Sequence, residues 1–264
     1  MYNVYMDYKN KYIKYKSKYI NLSGGLKPVV KEIYFIRHGQ TEWNQLKKSQ
    51  GQEADIELND NGRQEASKTG IYLRDFRQLN KHFDCIISSP MMRAKETAII
   101  IAKELNFDRN IIENDDIKEV KKGNLSGLTN KDDLNVQFNK YIKDKRDTIK
   151  DPIIKYDIDN VYKHEIFFND IIKENQIGIH GIETAQELVG RAKKFINYLT
   201  EIKYDKIIVV SHSGFLEVLL KLIFNLNILP MGDMSKSKNC TICYCTYKNK
   251  TFHMVSPQNT EHLI

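Results

Sequence analysis

A chain of 264 residues with 41% apolar side chains can bury a sizeable core, in one large domain or in one domain with an appendage. Its formal charge of +7 sits mostly in residues 1–27, where Lys9, Lys11, Lys14, Lys16, Lys18 and Lys27 face Asp7 alone, so only +2 belongs to the rest. That near-neutral body excludes a nucleic-acid footprint across the main domain. The longest apolar region, Ile207 to Leu229, is broken by Ser211, His212, Ser213, Glu217, Lys221 and Asn225, which excludes a transmembrane segment.

Residues 1–27 are a leader in which Tyr2, Tyr5, Tyr8, Tyr12, Tyr15 and Tyr19 interleave with lysines. Spacings of three and four place the tyrosines on one helical face. Ser23-Gly24-Gly25 and Lys27-Pro28 end that short basic helix and form a hinge. The helix reads either as a docking element for an anionic surface or a protein, or, more plainly, as a helix that packs on its own domain or frays. The N-terminus has neither a basic patch followed by an apolar stretch nor a small-residue cleavage site, so the protein is expected to be cytoplasmic.

From residue 28 a second unit runs to residue 264. Ile33 to Ile36 reads as a buried strand, and directly behind it comes Arg37-His38-Gly39-Gln40-Thr41-Glu42-Trp43-Asn44. A strand ending this way aims an imidazole and a guanidinium from one turn at the same anion. Gly62 to Leu79 reads as a helix, Cys85 to Ser88 as a strand and Met91 to Leu105 as a helix with Arg93 in its first turn, where an N-terminus already favours an anion. The polar, lysine-rich stretch from about residue 130 to 180 interrupts this rhythm and reads as an inserted lid. Helix Thr184 to Ile202, strand Lys206 to Ser211 leading into His212, helix Gly214 to Asn225 and strand Cys240 to Tyr247 complete the pattern. The alternation predicts a three-layer α/β/α fold around a mainly parallel central sheet, with the ligand site at the carboxyl ends of its strands. Cys240, Cys243 and Cys245 crowd the last strand; alternation puts Cys243 and Cys245 on one face and Cys240 on the other, which suits buried thiols better than zinc. No metal or cofactor is expected.

The octet at residues 37–44, Ser88-Ser89-Pro90 followed by Arg93-Ala94 and Thr97, and Ser211-His212-Ser213-Gly214 resemble the signature blocks of the histidine phosphatase superfamily, the phosphoglycerate mutase-like enzymes. Further blocks in family order are Gly51 to Asp55 with Leu58, Gly62, Glu65 and Ala66; Ile117 to Gly123 with Gly127-Leu128-Thr129; and Gly181 to Thr184 with Arg191. Ser213 and Ile182 stand where the family commonly has glycine. The resemblance spans about residues 31 to 247. It implies a small phosphorylated substrate, His38 as the nucleophile, Glu119 as the general acid and base, and Arg37, Arg93 and His212 as partners of the transferring phosphoryl group. It also implies substrate or phosphate contacts from Gln40, Thr41, Asn44, Gln50, Gly51 and Ser213. Two adjacent guanidiniums are expected to keep His38 neutral and nucleophilic. His180 is a further candidate for the lining of the site.

Family mutases carry paired arginines in the insertion and an aromatic residue shortly after the acid. Here Lys145-Arg146 is the nearest approach, and Val120-Lys121-Lys122 follows Glu119. Both departures point to a metal-independent phosphatase acting through phosphohistidine. The alternatives are a mutase moving a phosphoryl group between hydroxyls of a small metabolite, and an inactive phosphate-binding or interaction module. The Tyr-Lys leader ending in Gly-Gly resembles leaders on proteins of large DNA viruses, an origin that would place the chain in the virion or host cytoplasm.

Overall fold

The computed structural model describes residues 30–76, 82–134, 136–137, 140, 178–224 and 237–264. The leader at 1–27, the Lys145-Arg146 pair and nearly all of the expected lid lie outside the described residues.

Among the described residues six strands form one sheet in the order β3-β2-β4-β1-β5-β6. β1 is Lys31–Arg37, β2 Cys85–Ser88, β3 Ile112–Glu113, β4 Lys206–Ser211, β5 Ile242–Lys248 and β6 Thr251–Asn259. β1, β4, β2 and β3 run parallel, as their helical crossovers require. β5 and β6 run antiparallel and close the other edge as a hairpin through Asn249 and Lys250, both with positive φ. The sheet is therefore mixed. β6 had no sequence expectation: its exposure alternates, it carries Ser256, Pro257 and Gln258, and such residues are tolerated on an edge strand. Cys240 lies outside the strand, in a turn with φ of 55°, so the face assigned to it by alternation does not apply. All four cysteines are buried thiols outside any disulfide.

The β-branched strands are buried on both faces, and alternation sends their side chains to two helical layers. Ile33, Phe35, Ile87, Ile207, Val209, Cys243 and Cys245 pack against α4, Ala185–Glu201, and α5, Ser213–Phe224. Tyr34, Ile36, Ile86, Ile208, Val210 and Tyr244 face α2, Asp60–Phe76, and α3, Met92–Glu104. A one-turn helix α1, Glu42–Gln45, follows β1. Helix starts follow local chemistry. Thr184 and Glu187 form a capping box at α4, whereas α3 lacks a side-chain cap of its own and takes Asp55 from a distant loop, whose Oδ1 accepts from the Met92 N–H at 2.7 Å. None of the described helices is long and apolar enough to cross a membrane.

This layout brings the carboxyl ends of β1, β2 and β4 side by side. Arg37 is in register with Ser211, and Ser88 with Val210. The residues that follow those ends are His38, Ser89 and His212.

Candidate active site

The turn after β1 is fixed by backbone bonds from three directions. The His38 N–H donates to Ser211 O at 2.9 Å, the Gly39 N–H to Thr97 Oγ1 at 3.0 Å and the Gln40 N–H to Glu65 Oε2 at 2.8 Å. The turn also lies directly on the start of α2. A Cβ on Gly62 would stand 2.0 Å from Gln40 O, and one on Gly39 would stand 2.5 Å from Gly62 O. Neither backbone can yield without moving His38. Gly62→Ala is therefore expected to cost about 1–3 kcal/mol, an overpacking penalty, and to depress activity further by displacing the turn. Urea unfolding and turnover, measured together, check this.

His38 is buried, and its Nδ1 lies 2.7 Å from Gly39 O. A carbonyl only accepts, so Nδ1 carries the proton and Nε2 keeps its lone pair. His212 is fully buried, with its ring centroid 5.2 Å from that of His38. Its Nε2 meets Ser89 Oγ at 2.8 Å, while its Nδ1 has no protein partner.

Two guanidiniums flank this pair. Arg37, at the end of β1, donates from Nη1 to Ser237 O. Arg93, in the first turn of α3, is fully buried and donates to Ala54 O at 3.3 Å and Gly51 O at 3.2 Å. The Nε atoms of both arginines and Nε2 of Gln50 are buried donors without a protein partner. Unpaired buried donors are costly, so this concentration of them, all cationic or polar, is matched chemically to an anion.

Glu119 closes the remaining side. Its buried carboxylate accepts from the N–H groups of Val120 at 2.9 Å, Phe215 at 3.0 Å and Gly214 at 3.3 Å. It thereby sits on the N-terminus of α5, where the first N–H groups have no helical partner. Gly214 makes this approach feasible, since a Cβ there would lie 2.6 Å from Glu119 Oε1. Its charge is also felt by both Arg37 and Arg93.

The other candidates fall into distinct places. Thr41 is buried as the N-cap of α1, its hydroxyl accepting from the Asn44 N–H at 3.2 Å and lying 3.0 Å from Gln50 Oε1. Asn44 returns the cap, and its Oδ1 also accepts from Asn239 Nδ2 at 3.1 Å. Gln40 accepts from Asn59 Nδ2 at 3.0 Å through its side-chain oxygen. Gly51 contributes its carbonyl to Arg93. Ser213 begins α5 directly after His212. His180 is exposed and is tied through its N–H to Asn124 Oδ1 at 3.0 Å. Among the described residues no cluster of His, Cys, Asp or Glu is arranged to hold a metal ion.

Sequence reasoning missed Ser237 and Asn239. Asn239 Nδ2 donates to His38 O at 3.0 Å as well as to Asn44, and the Cys240 N–H reaches Arg37 O at 3.1 Å. A loop preceding the last strands thus braces the turn that carries His38. The polar run Ser235 to Asn239 before Cys240 offers no sequence signal for this; only the antiparallel pairing of β5 with β1 brings it there.

Burial, then Arg93 and Arg37, hold His38 well below its ordinary pKa. Burial, then Arg93, His38, Arg191 and Arg37, do the same for His212. Above about pH 6.5 both rings are neutral folded and unfolded alike. Below it the unfolded chain takes up protons that the folded chain refuses, so stability falls on acidification with a slope approaching about 1.4 kcal/mol per pH unit for each histidine. Urea midpoints at pH 7.5 and 5.5 in phosphate-free buffer should show this loss, and His38→Asn should remove one histidine's share of it.

Comparison with known proteins bears on the family and the fold. The family model described as "Histidine phosphatase superfamily (branch 1)" matches residues 33–155 and 159–260. The chain is 42% identical over 96 residues to the uncharacterized phosphatase PhoE of Bacillus subtilis (strain 168), a match covering 36% of this chain and 46% of that protein, about half its length. It is 28% identical over 216 residues to a 2,3-bisphosphoglycerate-dependent phosphoglycerate mutase of Buchnera aphidicola subsp. Acyrthosiphon pisum (strain APS), covering 78% of this chain and 89% of the other. The crystal structure of phosphoglycerate mutase from Bacillus anthracis str. Sterne superposes with a TM-score of 0.65 at 20% identity, covering 89% and 96%, a likeness of fold.

Proposed function

The chain belongs to branch 1 of the histidine phosphatase superfamily, and from that membership and the site geometry we propose that it is a metal-independent phosphatase that hydrolyses phosphate monoesters through a phosphohistidine on His38. The observation that carries the reading is the state of His38: a neutral ring with its Nδ1 proton held by Gly39 O, between two arginines with unpaired donors. Such a ring offers a lone pair at Nε2 where phosphoryl charge is stabilised.

The reaction then divides into two displacements. In the first, Nε2 attacks phosphorus, the bond from phosphorus to the ester oxygen breaks, and Glu119 gives a proton to that oxygen. In the second, the Glu119 carboxylate takes a proton from water, the resulting hydroxide attacks phosphorus, and the bond from phosphorus to nitrogen breaks to release phosphate. Arg37 and Arg93 balance charge on the equatorial oxygens, where preorganised donors act most strongly. With Ser89 Oγ donating to Nε2 of His212, the Nδ1–H of His212 is a further donor. Asn44, Gln50 and the Ser213 N–H complete the cradle.

The mutase-named relative supports a second reading, in which the phosphoryl group passes to another hydroxyl. Val120-Lys121-Lys122 after Glu119, with no aromatic residue, favours hydrolysis. The test is phosphate release from an aryl phosphate in the presence of chelator: sustained turnover supports the phosphatase. Exchange between phosphoglycerates without net phosphate release would replace it with the mutase.

A further inference from the structure

Arg191 lies on α4 and carries the most fully engaged guanidinium of this region. Its five N–H donors make five hydrogen bonds. Nε and Nη2 form a fork on Glu183, at 2.6 and 2.9 Å. Nη1 donates to Asp116 O at 2.8 Å and Lys118 O at 2.6 Å, and Nη2 to Glu119 O at 3.2 Å. The guanidinium also sits 4.7 Å from the ring centroid of Phe215, the residue whose N–H holds the Glu119 carboxylate. Glu183 is anchored in turn, by the Lys121 N–H at 3.3 Å and through its own N–H to Lys121 O at 3.1 Å. Both side chains are nearly excluded from solvent, at 13% and 5% exposure.

A buried ion pair of this kind is weak evidence for stability, because desolvation offsets much of the attraction. What this pair does is geometric. It grips the backbone on both sides of residue 119 and the ring that backs its carboxylate, so the position of the acid depends on a rigid fork. We propose that Arg191, oriented by Glu183, is the positioning residue that fixes Glu119 for proton transfer to the leaving oxygen, a role that rests on the reading of Glu119 as general acid. Lysine cannot substitute, since a point charge with three donors cannot hold three carbonyls and a bidentate carboxylate in one plane.

The consequence is selective. An aryl phosphate leaves as a stabilised phenolate and needs little proton donation, whereas an alkyl phosphate needs it fully. The experiment compares kcat/KM, which reports formation of the phosphohistidine and not its hydrolysis, on p-nitrophenyl phosphate and glycerol phosphate for the full-length wild type, Arg191→Lys and Glu119→Gln, with binding of inorganic phosphate measured alongside. Arg191→Lys is expected to lose about 10²-fold on the alkyl ester and under about threefold on the aryl ester, with phosphate affinity unchanged, and Glu119→Gln to show the same pattern more strongly. If Glu119→Gln shows no selectivity, the assignment of the acid is wrong and this proposal goes with it. If Glu119→Gln is selective while Arg191→Lys is silent, loses both substrates equally or loses phosphate affinity, the positioning role alone is overturned. Should Arg191→Lys fail to fold, Glu183→Gln replaces it: the same selectivity in smaller measure supports the proposal, and a uniform loss or none overturns it.

Discussion

Replacing His38 by alanine is expected to lower phosphate release by roughly 10⁴- to 10⁶-fold, the scale seen when a covalent nucleophile is removed. Few other single changes should approach this. Hydrolysis of phosphate monoesters is among the slowest reactions in water, and the proposed mechanism divides its barrier by passing through a His38 Nε2 bond to phosphorus. The fold should survive: the turn is held by main-chain bonds from His38 to Ser211, from Gly39 to Thr97 and from Gln40 to Glu65, none of which needs the imidazole. Wild-type enzyme quenched in alkaline denaturant should carry a base-stable, acid-labile phosphoryl group that His38→Ala lacks. Wild-type turnover that survives the substitution would sink the nucleophile assignment.

The second large effect is expected at Arg93. Arg93→Lys should reduce kcat/KM by about 10²- to 10³-fold, the cost of losing a preorganised donor to transition-state charge. Lysine keeps the cation but not the fork. Gly51 O and Ala54 O, now paired with the guanidinium at 3.2 and 3.3 Å, would compete for a single ammonium. A binding readout separates this from general damage. At a hundred times its dissociation constant, inorganic phosphate should stabilise the wild type by about 2.7 kcal/mol, visible as a rise in melting temperature. The same phosphate concentration should move Arg93→Lys far less. An undiminished thermal response would show that Arg93 does not touch the anion.

Much of this was legible from residues whose constraints are local. Strands Cys85–Ser88 and Lys206–Ser211 have the bounds read from their β-branched runs, and four helices have their expected ends within about two residues where described. The placement of Arg37, His38, Arg93 and His212 at adjacent strand ends follows from parallel pairing, which alternation of strands and helices predicts. What was not legible depends on partners distant in sequence. Asn44 stands among the phosphate contacts that the resemblance implies, and nothing near it tells that Asn239, 195 positions later, donates to its Oδ1. Arg191 read only as part of a family block, because nothing in its neighbours tells that its guanidinium reaches the backbone at Asp116, Lys118 and Glu119. β6 escaped because an edge strand with one partner needs neither a continuous apolar run nor freedom from proline.

The brace supplied by Ser237, Asn239 and Cys240 has a bearing on the order in which the site assembles. The side chain of Asn239 reaches a carbonyl 201 positions earlier in the chain. During synthesis the turn that carries His38 is among the first parts of this unit to emerge, and its last supports are among the later ones. Contacts so far apart in sequence carry a high loop-closure cost and form late. On the proposed mechanism a nascent or truncated chain therefore holds His38 for a long interval before its turn is braced, and activity awaits docking of the β5–β6 hairpin on β1.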